Sequence, residues 1–266
     1  MDIVVCIKQI IDPEIAPDLF RLDPATKRQV RGGLSLVISA YDQNALEVAL
    51  QLREKAGGKI TALTVGEGEA QGAVKSAMGM GVDAGVLVHD PAAAGSDSFG
   101  IARVLAAAIR KLGKADLILT GCVSGDIGSK VMAPLLAEEL NWPCLTFVSR
   151  IAPCDGAVRA RRFLPDGYET VEAPLPLVAG IISDDSNVPR YSKLKDIMAA
   201  ARKPVPSWKL SDLGIDPSCV GPAAHRLVLR DVVIPQRDSR CELIDGETPE
   251  EQATRLAARL REMKIF

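Results

Sequence analysis

The sequence predicts an α/β fold: a mostly parallel, doubly wound sheet with an antiparallel extension and a C-terminal arm. Three observations predict it. Over roughly the first 150 residues, short apolar runs alternate with amphipathic stretches of helical period, as in βα units closing on a parallel sheet. From Cys144 to Ile182 the pattern turns to consecutive strands. After Pro204 prolines and glycines accumulate (Pro206, Gly214, Pro217, Gly221, Pro222, Pro235, Gly246) and long apolar runs cease. The expected division is an α/β domain over 1–204 and an arm over 205–266.

The strands expected in the parallel sheet are Ile3–Ile7, Leu34–Ile38, Ile60–Val65, Gly85–Val88 and Leu117–Thr120. They are short and continuously apolar, as strands buried on both faces are. Between them, Tyr41–Lys55 reads as a helix closed by Gly57-Gly58, with Ser39 and Asp42 spaced as a capping box in which Asp replaces Glu or Gln. Phe99–Leu112 reads as a second helix, with Ile101, Leu105, Ala108, Ile109 and Leu112 on one face. Leu145–Ile151, Val158–Phe163, Tyr168–Glu172 and Leu177–Ile182 are expected to extend or edge the same sheet, with Asp166-Gly167 as a hairpin turn. A strand is expected over Arg226–Val233. Thr248-Pro249-Glu250-Glu251 opens a last helix with Thr248 as N-cap, Pro249 first in the helix and Glu251 as capping partner. Its apolar side carries Leu256, Ala257, Leu260 and Met263.

Composition excludes several function classes. With 266 residues, 47% hydrophobic and 25% charged, the chain has enough apolar mass for a sizeable core. A net charge of −2 gives no reason to expect nucleic acid or an anionic membrane surface, and 4% aromatics make a poor base-stacking platform. No run of 18 apolar residues reads as a membrane span, and the N-terminus opens on a strand rather than a signal peptide. Six cysteines lack any C-x-x-C pair and only His89 and His225 accompany them, so no metal site is expected. They read as reduced thiols of a cytoplasmic protein, and Cys6 reads as a small buried side chain.

No catalytic residues are assigned. There is no G-x-S-x-G elbow; His89 reads as a turn residue, His225 has no evident partner, and Asp184-Asp185 reads as an acidic turn. Binding or electron carriage is favoured over chemistry on a substrate. Ligands of a doubly wound sheet bind beyond the C-terminal ends of its strands. Four such ends stand out: Ile7–Gln9, Ser39–Asp42, Val65–Gly68 and Gly121–Lys130. The fourth is glycine-rich, carries Ser124, Ser129 and Lys130, and leads into a helix expected over Leu135–Leu140. Backbone N–H groups, hydroxyls and an ammonium suit a phosphate or pyrophosphate, and a simple flexible connector is the alternative. A further segment, Asn187–Pro204, begins in a proline-fixed turn and offers Leu194, Ile197 and Met198 among cationic residues. It reads as a surface presented to a partner or as an ordinary connection.

Several stretches together resemble one family. They are Val5–Asp12 (VCIKQIID), Ser39–Glu47 (SAYDQNALE), Ala77–Asp83 (AMGMGVD), Asn141–Pro143 with Thr146 and Phe147, Gly167–Thr170 before Leu175 and Pro176, and Pro189–Tyr191 followed by Leu194, Ile197, Met198 and Ala199. The chain resembles the β subunit of electron-transfer flavoproteins over nearly its whole length. The resemblance implies a sheet of the adenine-nucleotide-binding type and a heterodimer with an α subunit that carries the redox-active FAD. It implies AMP, or a second FAD in electron-bifurcating members, in the β-subunit pocket. The partners it implies are flavin dehydrogenases, such as acyl-CoA dehydrogenases, and a quinone reductase or other acceptor. The cofactor-binding set is then Cys6, Lys8, Ser39, Ala40, Tyr41, Asp42, Val65, Gly66, Gly121, Gly125, Asp126, Ile127, Gly128, Ser129, Lys130 and Val131. Arg190, Tyr191, Leu194, Ile197 and Met198 would dock the dehydrogenase, and Glu169 would lie at the subunit interface. One departure stands out: Val131 and Met132 occupy positions where AMP-binding members have Gln and Thr, and apolar groups cannot donate to a phosphate. A stand-alone adenine-nucleotide-binding α/β protein is the alternative, but it would not need the arm or the Pro189–Ala199 segment.

Overall fold

The computed structural model describes residues 1–235 and 241–265; residues 236–240 and 266, which fall in the expected arm, lie outside the described residues. Among the described residues the strands are β1 (Ile3–Cys6), β2 (Gln9–Ile11), β3 (Leu22–Asp23), β4 (Arg28–Gln29), β5 (Leu36–Ile38), β6 (Ile60–Val65), β7 (Ala84–Val88), β8 (Leu117–Gly121), β9 (Cys144–Cys154), β10 (Ala157–Leu164), β11 (Gly167–Pro174), β12 (Leu177–Ile181) and β13 (Ser207–Trp208). The helices are α1 (Ala40–Ala56), α2 (Gln71–Met80), α3 (Ser98–Leu112), α4 (Met132–Leu140), α5 (Leu194–Arg202) and α6 (Pro249–Glu262).

Nine strands form one sheet in the order β11-β10-β9-β12-β8-β1-β6-β7-β13. From β9 to β13 every pair is parallel, and β10 and β11 add an antiparallel extension. The doubly wound expectation holds for a local reason: β1 buries all four of its residues, and alternate side chains feed two cores. Ile3 and Val5 join Leu46, Leu50 and Val74 of α1 and α2, whereas Val4 and Cys6 join Val104, Leu105 and Leu136 of α3 and α4. After β1 the chain winds outward through β6 and β7, then returns to lay β8 on the other side of β1. The strand order therefore reverses between β1 and β8, the switch point at which folds of this class leave a crevice beyond the C-terminal strand ends.

The structure corrects several expectations. Leu34–Ile38 is not a strand of the parallel sheet: only Leu36–Ile38 is extended, and it pairs antiparallel with β2 in a separate two-stranded ribbon. Of that run only Ile38 is buried, too little for a strand covered on both faces. The Ser39/Asp42 capping box does not form, because both side chains are engaged elsewhere, as described below. Helix α2, absent from the expected elements, buries Ala73, Val74, Ala77 and Met78 and ends on Gly81 at φ +119°. Its small side chains give a weak amphipathic signal. Arg226–Val233 is not a strand. No other strand pairs with it among the described residues, and an unpaired strand leaves its N–H and C=O groups to water.

The chain divides into two units, Met1–Val228 and Leu229–Phe266. The first part of the expected arm belongs to the first unit: β13 pairs with β7, and Leu210 and Val220 are buried in the core shared with α3 and α4. In the second unit Thr248 caps α6 by accepting from the Glu251 N–H (3.2 Å). The reciprocal bond of the expected box is shifted by one residue, since Glu251 accepts from the N–H of Glu247 instead (3.0 Å). Val233, Ile234, Leu243, Leu256 and Met263 are exposed. No described helix is long and apolar enough to cross a membrane.

Candidate functional site

Three of the four expected strand ends meet at the β1/β8 crevice, and their bonds are mostly between backbone N–H groups and two side chains. Asp42, in the first turn of α1, is buried. Its Oδ2 accepts the N–H of Lys8 (2.8 Å) and its Oδ1 accepts the N–H of Gly121 (2.9 Å). One carboxylate thus ties the exits of β1 and β8 together. Ser39 does not cap α1; its hydroxyl accepts the N–H of Gly125 (3.3 Å), while its own N–H donates to the Lys8 carbonyl (2.9 Å). Lys8 Nζ reaches Asp126 Oδ2 at 2.5 Å. Gly121 is required here, since a Cβ would lie 2.6 Å from Asp42 Oδ1 and 2.8 Å from Tyr41 Cβ.

The two aspartates are held in opposite protonation regimes. Burial pushes Asp42 up to about 7, with nearby Asp126 adding to the effect and the Lys8 and Gly121 N–H groups and the Lys8 charge only partly offsetting it. Asp126 is also partly desolvated, but the Lys8 ammonium, the Ser124 hydroxyl and the Ile127 N–H more than compensate and hold its carboxyl below the usual range.

The loop beyond these anchors is open. Gly125 to Lys130 are exposed, Gly128 and Lys130 take left-handed backbone (φ +66° and +58°), and Ser129 Oγ touches Ser98 Oγ at 3.5 Å. Val131 precedes α4, which starts at Met132, earlier than the expected Leu135, and Met132 packs on the α3/α4 core. The donors exposed here are the Ser129 hydroxyl and the Lys130 ammonium, with the Lys8 ammonium, paired to Asp126, beside them. That set fits a phosphate or pyrophosphate, and a nucleotide of the AMP or FAD kind carries one. Ala40 is exposed and Tyr41 half-buried beside this group.

Other members of the expected set stand apart. Cys6 is packed among the apolar side chains of the α3/α4 core, where burial pushes its thiol up; it lines no surface. Val65 and Gly66 end β6, where the Gly66 carbonyl meets His89 Nδ1 at 3.0 Å. One residue earlier, Thr64 Oγ1 is buried and without a hydrogen-bond partner, the one such side-chain atom among the described residues. No cluster of His, Cys, Asp and Glu among the described residues could hold a metal ion.

The second candidate surface lies on Val188–Met198. Tyr191 is 98% exposed and Leu194 73%, and Val188, Ile197 and Met198 are also exposed. Leu194 therefore points to solvent, and α5 is held by its other side: Ala200 is buried and Lys75 Nζ donates to the Ala200 and Ala201 carbonyls (3.0 Å each). Arg190 faces the opposite way from the exposed residues around it. Its Nε and Nη2 donate to Glu47 (2.8 Å each) and its Nη1 to Glu54 (2.5 Å). It fastens the segment to α1 rather than presenting a cation. Asn44, Gln51 and Asn187 share in this fastening; on α1 its members form a polar stripe at helical spacing that, read from sequence, resembles a solvated face. Glu169, on β11, pairs with Arg162 at 2.5 Å, and Arg162 also donates to the Thr146 carbonyl (2.9 Å).

The chain is similar to known proteins over most of its length. Residues 30–213 match the electron transfer flavoprotein domain. The chain is 36% identical over 222 residues to electron transfer flavoprotein subunit beta of Thermoanaerobacterium thermosaccharolyticum, covering 83% of each chain. It is 31% identical over 267 residues to caffeyl-CoA reductase-Etf complex subunit CarD of Acetobacterium woodii, covering both chains in full. Over 254 residues it is 35% identical to protein FixA of Azotobacter vinelandii, covering 92% of this chain and 89% of the relative.

Proposed function

Because the chain belongs to the electron transfer flavoprotein family, we propose that it is the β-type subunit of a heterodimer that carries electrons from flavin dehydrogenases, acyl-CoA dehydrogenases among them, to a quinone reductase or other acceptor. A bound flavin supplies the redox chemistry. This chain's residues bind, orient and dock. Its site of work is the cytoplasm, in keeping with six free cysteines.

The Gly125–Lys130 loop, with Lys8 and Ser39 behind it, would hold the phosphates of AMP or of a second FAD. Lys130 and Ser129 take over the donor role that Val131 and Met132 cannot fill. Mass spectrometry of nucleotides released from the denatured heterodimer separates the occupants. Two flavins per heterodimer would put the chain with bifurcating carriers, and one flavin with AMP would put it with simple carriers. The exposed apolar residues of the second unit, with Leu227 and Val228 just before it, would pack on the α subunit, since so many exposed aliphatic side chains in one stretch mark a covered surface.

One observation carries the reading: an apolar patch of Val188, Tyr191, Leu194, Ile197 and Met198 stands exposed on a segment that is firmly fastened. A carrier must release its donor quickly, so a small apolar anchor within a polar rim of Ser192, Lys193 and Lys195 suits it better than a wide interface. Burying one such side chain is worth about 1–3 kcal/mol, roughly 5- to 150-fold in affinity. The test is Leu194→Ala in the heterodimer, with flavin reduction followed using a purified acyl-CoA dehydrogenase and its acyl-CoA. The expected result is weaker coupling with unchanged flavin content and unchanged melting temperature. A fall in stability with coupling intact would return Leu194 to the core and remove the docking role.

A further inference from the structure

We infer that Glu47 is a positioning residue for the docking patch: its buried carboxylate, through Arg190, fixes the backbone that presents Tyr191 and Leu194. The inference rests on the docking role proposed above. Glu47 is 4% exposed and lies in the middle of α1, and its side-chain hydrogen bonds come from Arg190 and Gln51. Its four acceptor contacts are all taken. Oε2 accepts from Arg190 Nε (2.8 Å) and from the Arg190 backbone N–H (3.2 Å); Oε1 accepts from Arg190 Nη2 (2.8 Å) and Gln51 Nε2 (3.1 Å). Because the backbone N–H is included, the clamp fixes main chain as well as side chain. Tyr191 follows at the next position.

The clamp is one part of a polar stripe along α1 formed by Asn44, Glu47, Gln51 and Glu54, which share a face at helical spacing. Asn44 Nδ2 donates to the carbonyl and Oδ1 of Asn187 (3.0 and 3.1 Å), and Gln51 Nε2 donates to the Ser186 carbonyl (2.9 Å). Asn187 in turn donates to the carbonyls of Ser149 and Ile182 (2.9 Å each), so the turn before the patch is joined to β9 and to the end of β12. Asp184 caps that turn. Every member of the stripe holds residues 184–190, and none holds the sheet alone.

Such a stripe is a costly way to achieve stability alone. Buried ion pairs often gain little over apolar packing of the same volume, and their better-supported use is to impose one geometry. What this one imposes is the position of side chains with no interior role, because Tyr191 and Leu194 point to solvent. A docking loop fixed beforehand loses less freedom when its partner arrives.

The experiment uses the purified heterodimer with an acyl-CoA dehydrogenase as reductant. Glu47→Gln keeps the shape but sets an amide N–H against an Arg190 N–H. It is expected to raise the KM for the heterodimer about tenfold with kcat unchanged, leave nucleotide and flavin content unchanged, and speed amide exchange at residues 190–194. Combined with Leu194→Ala it should weaken coupling by less than the two changes added together, since a positioning residue acts through what it positions. Glu47→Leu with Arg190→Met replaces the pair by apolar side chains. It should melt near the parent's temperature, above any fall in Glu47→Gln, and leave the KM raised. An unchanged KM and unchanged exchange in Glu47→Gln, a KM restored along with stability in the apolar pair, or full additivity with Leu194→Ala would overturn the inference. If Leu194→Ala itself leaves coupling intact, the docking role fails first, and that outcome is distinct from the others.

Discussion

The strand-end crevice and the Val188–Met198 segment are both braced by α1, and a carboxylate does the bracing in each. At the crevice Asp42 accepts two backbone N–H groups from the exits of β1 and β8, and no cation contacts it directly. Five residues on, Glu47 faces a guanidinium. The consequence is opposite titration. Burial raises Asp42 to about 7. Burial also acts against ionisation of Glu47, but hydrogen bonds from Arg190 and Gln51 and the Arg190 charge outweigh it and depress its pKa. A carboxylate held only by neutral amides keeps much of its desolvation penalty, whereas one held by arginine does not. The crevice is therefore shaped by backbone packed too tightly for side-chain change, and the segment by an ion pair that substitution can remove piece by piece.

The sharpest way to break this contrast is Gly121→Ala. The added Cβ would lie 2.6 Å from Asp42 Oδ1, 2.8 Å from Tyr41 Cβ and 2.9 Å from the Tyr41 carbonyl carbon. The start of α1 would have to move off β8. The expected cost is about 3 kcal/mol, at the upper end of overpacking, together with loss of the bound nucleotide. Denaturant melts of the heterodimer and nucleotide release measure both. A variant that melts like the parent would mean that the crevice is compliant and that the comparison with the segment is wrong.

A titration sharpens it next. Asp42 has its folded-state pKa raised from 3.8 to about 7. Between those values the folded chain holds a proton that the unfolded chain has released, so stability from this residue falls as pH rises from about 4 to about 7 and is flat above. For Glu47 the sign is reversed: with a depressed folded pKa, its contribution is present above the ordinary glutamate range and is lost as pH falls. Asp42→Asn removes the first slope and leaves the second. Between about pH 5.5 and pH 7 the parent should lose about 2 kcal/mol relative to the variant. Parallel stability curves for the two proteins over that interval would show that Asp42 stays ionised in the folded state.

How much of this could be read from sequence follows from the range of each interaction. Strands β1, β6, β7, β8 and β12 are legible because a strand covered on both faces must be apolar throughout. Leu34–Ile38 and Arg226–Val233 show the limit of that rule. Both are apolar enough, but a strand needs a neighbour, and a run of residues does not say whether one exists. Ser39 and Asp42 have the identities and spacing of a cap, and the same short acceptors serve equally well as receivers of N–H groups from other strand ends, 34 and 79 residues away for Asp42. Location was legible there, but not partner. The Glu47–Arg190 clamp spans 143 residues, and locally it shows only as a polar stripe on α1. The exposure of Leu194 is legible in its frame of Ser192, Lys193 and Lys195, whereas the pairing of Arg190 with Glu47 and Glu54 is set by α1, far away in the chain.

The smallest expected effect comes from Ser39, and it tests whether the crevice is organised by strand ends or by the helix that starts there. An N-cap serine replaced by alanine destabilises its helix by about 1 kcal/mol. Ser39 makes no cap bond in this structure, so α1 should not register the change in that way. Its hydroxyl accepts instead from Gly125, at the rather long distance of 3.3 Å. Ser39→Ala should therefore cost only about 0.5 kcal/mol in global stability, the low end for one neutral hydrogen bond. The loss should appear locally, as faster amide exchange at Gly125 and Asp126 and a two- to threefold weaker hold on the nucleotide, roughly the equivalent of that energy. Amides in the first turn of α1 should keep their protection. If instead that turn frays while the Gly125 loop is unaffected, Ser39 is a helix cap after all, and the loop is positioned by the Lys8–Asp126 pair without it.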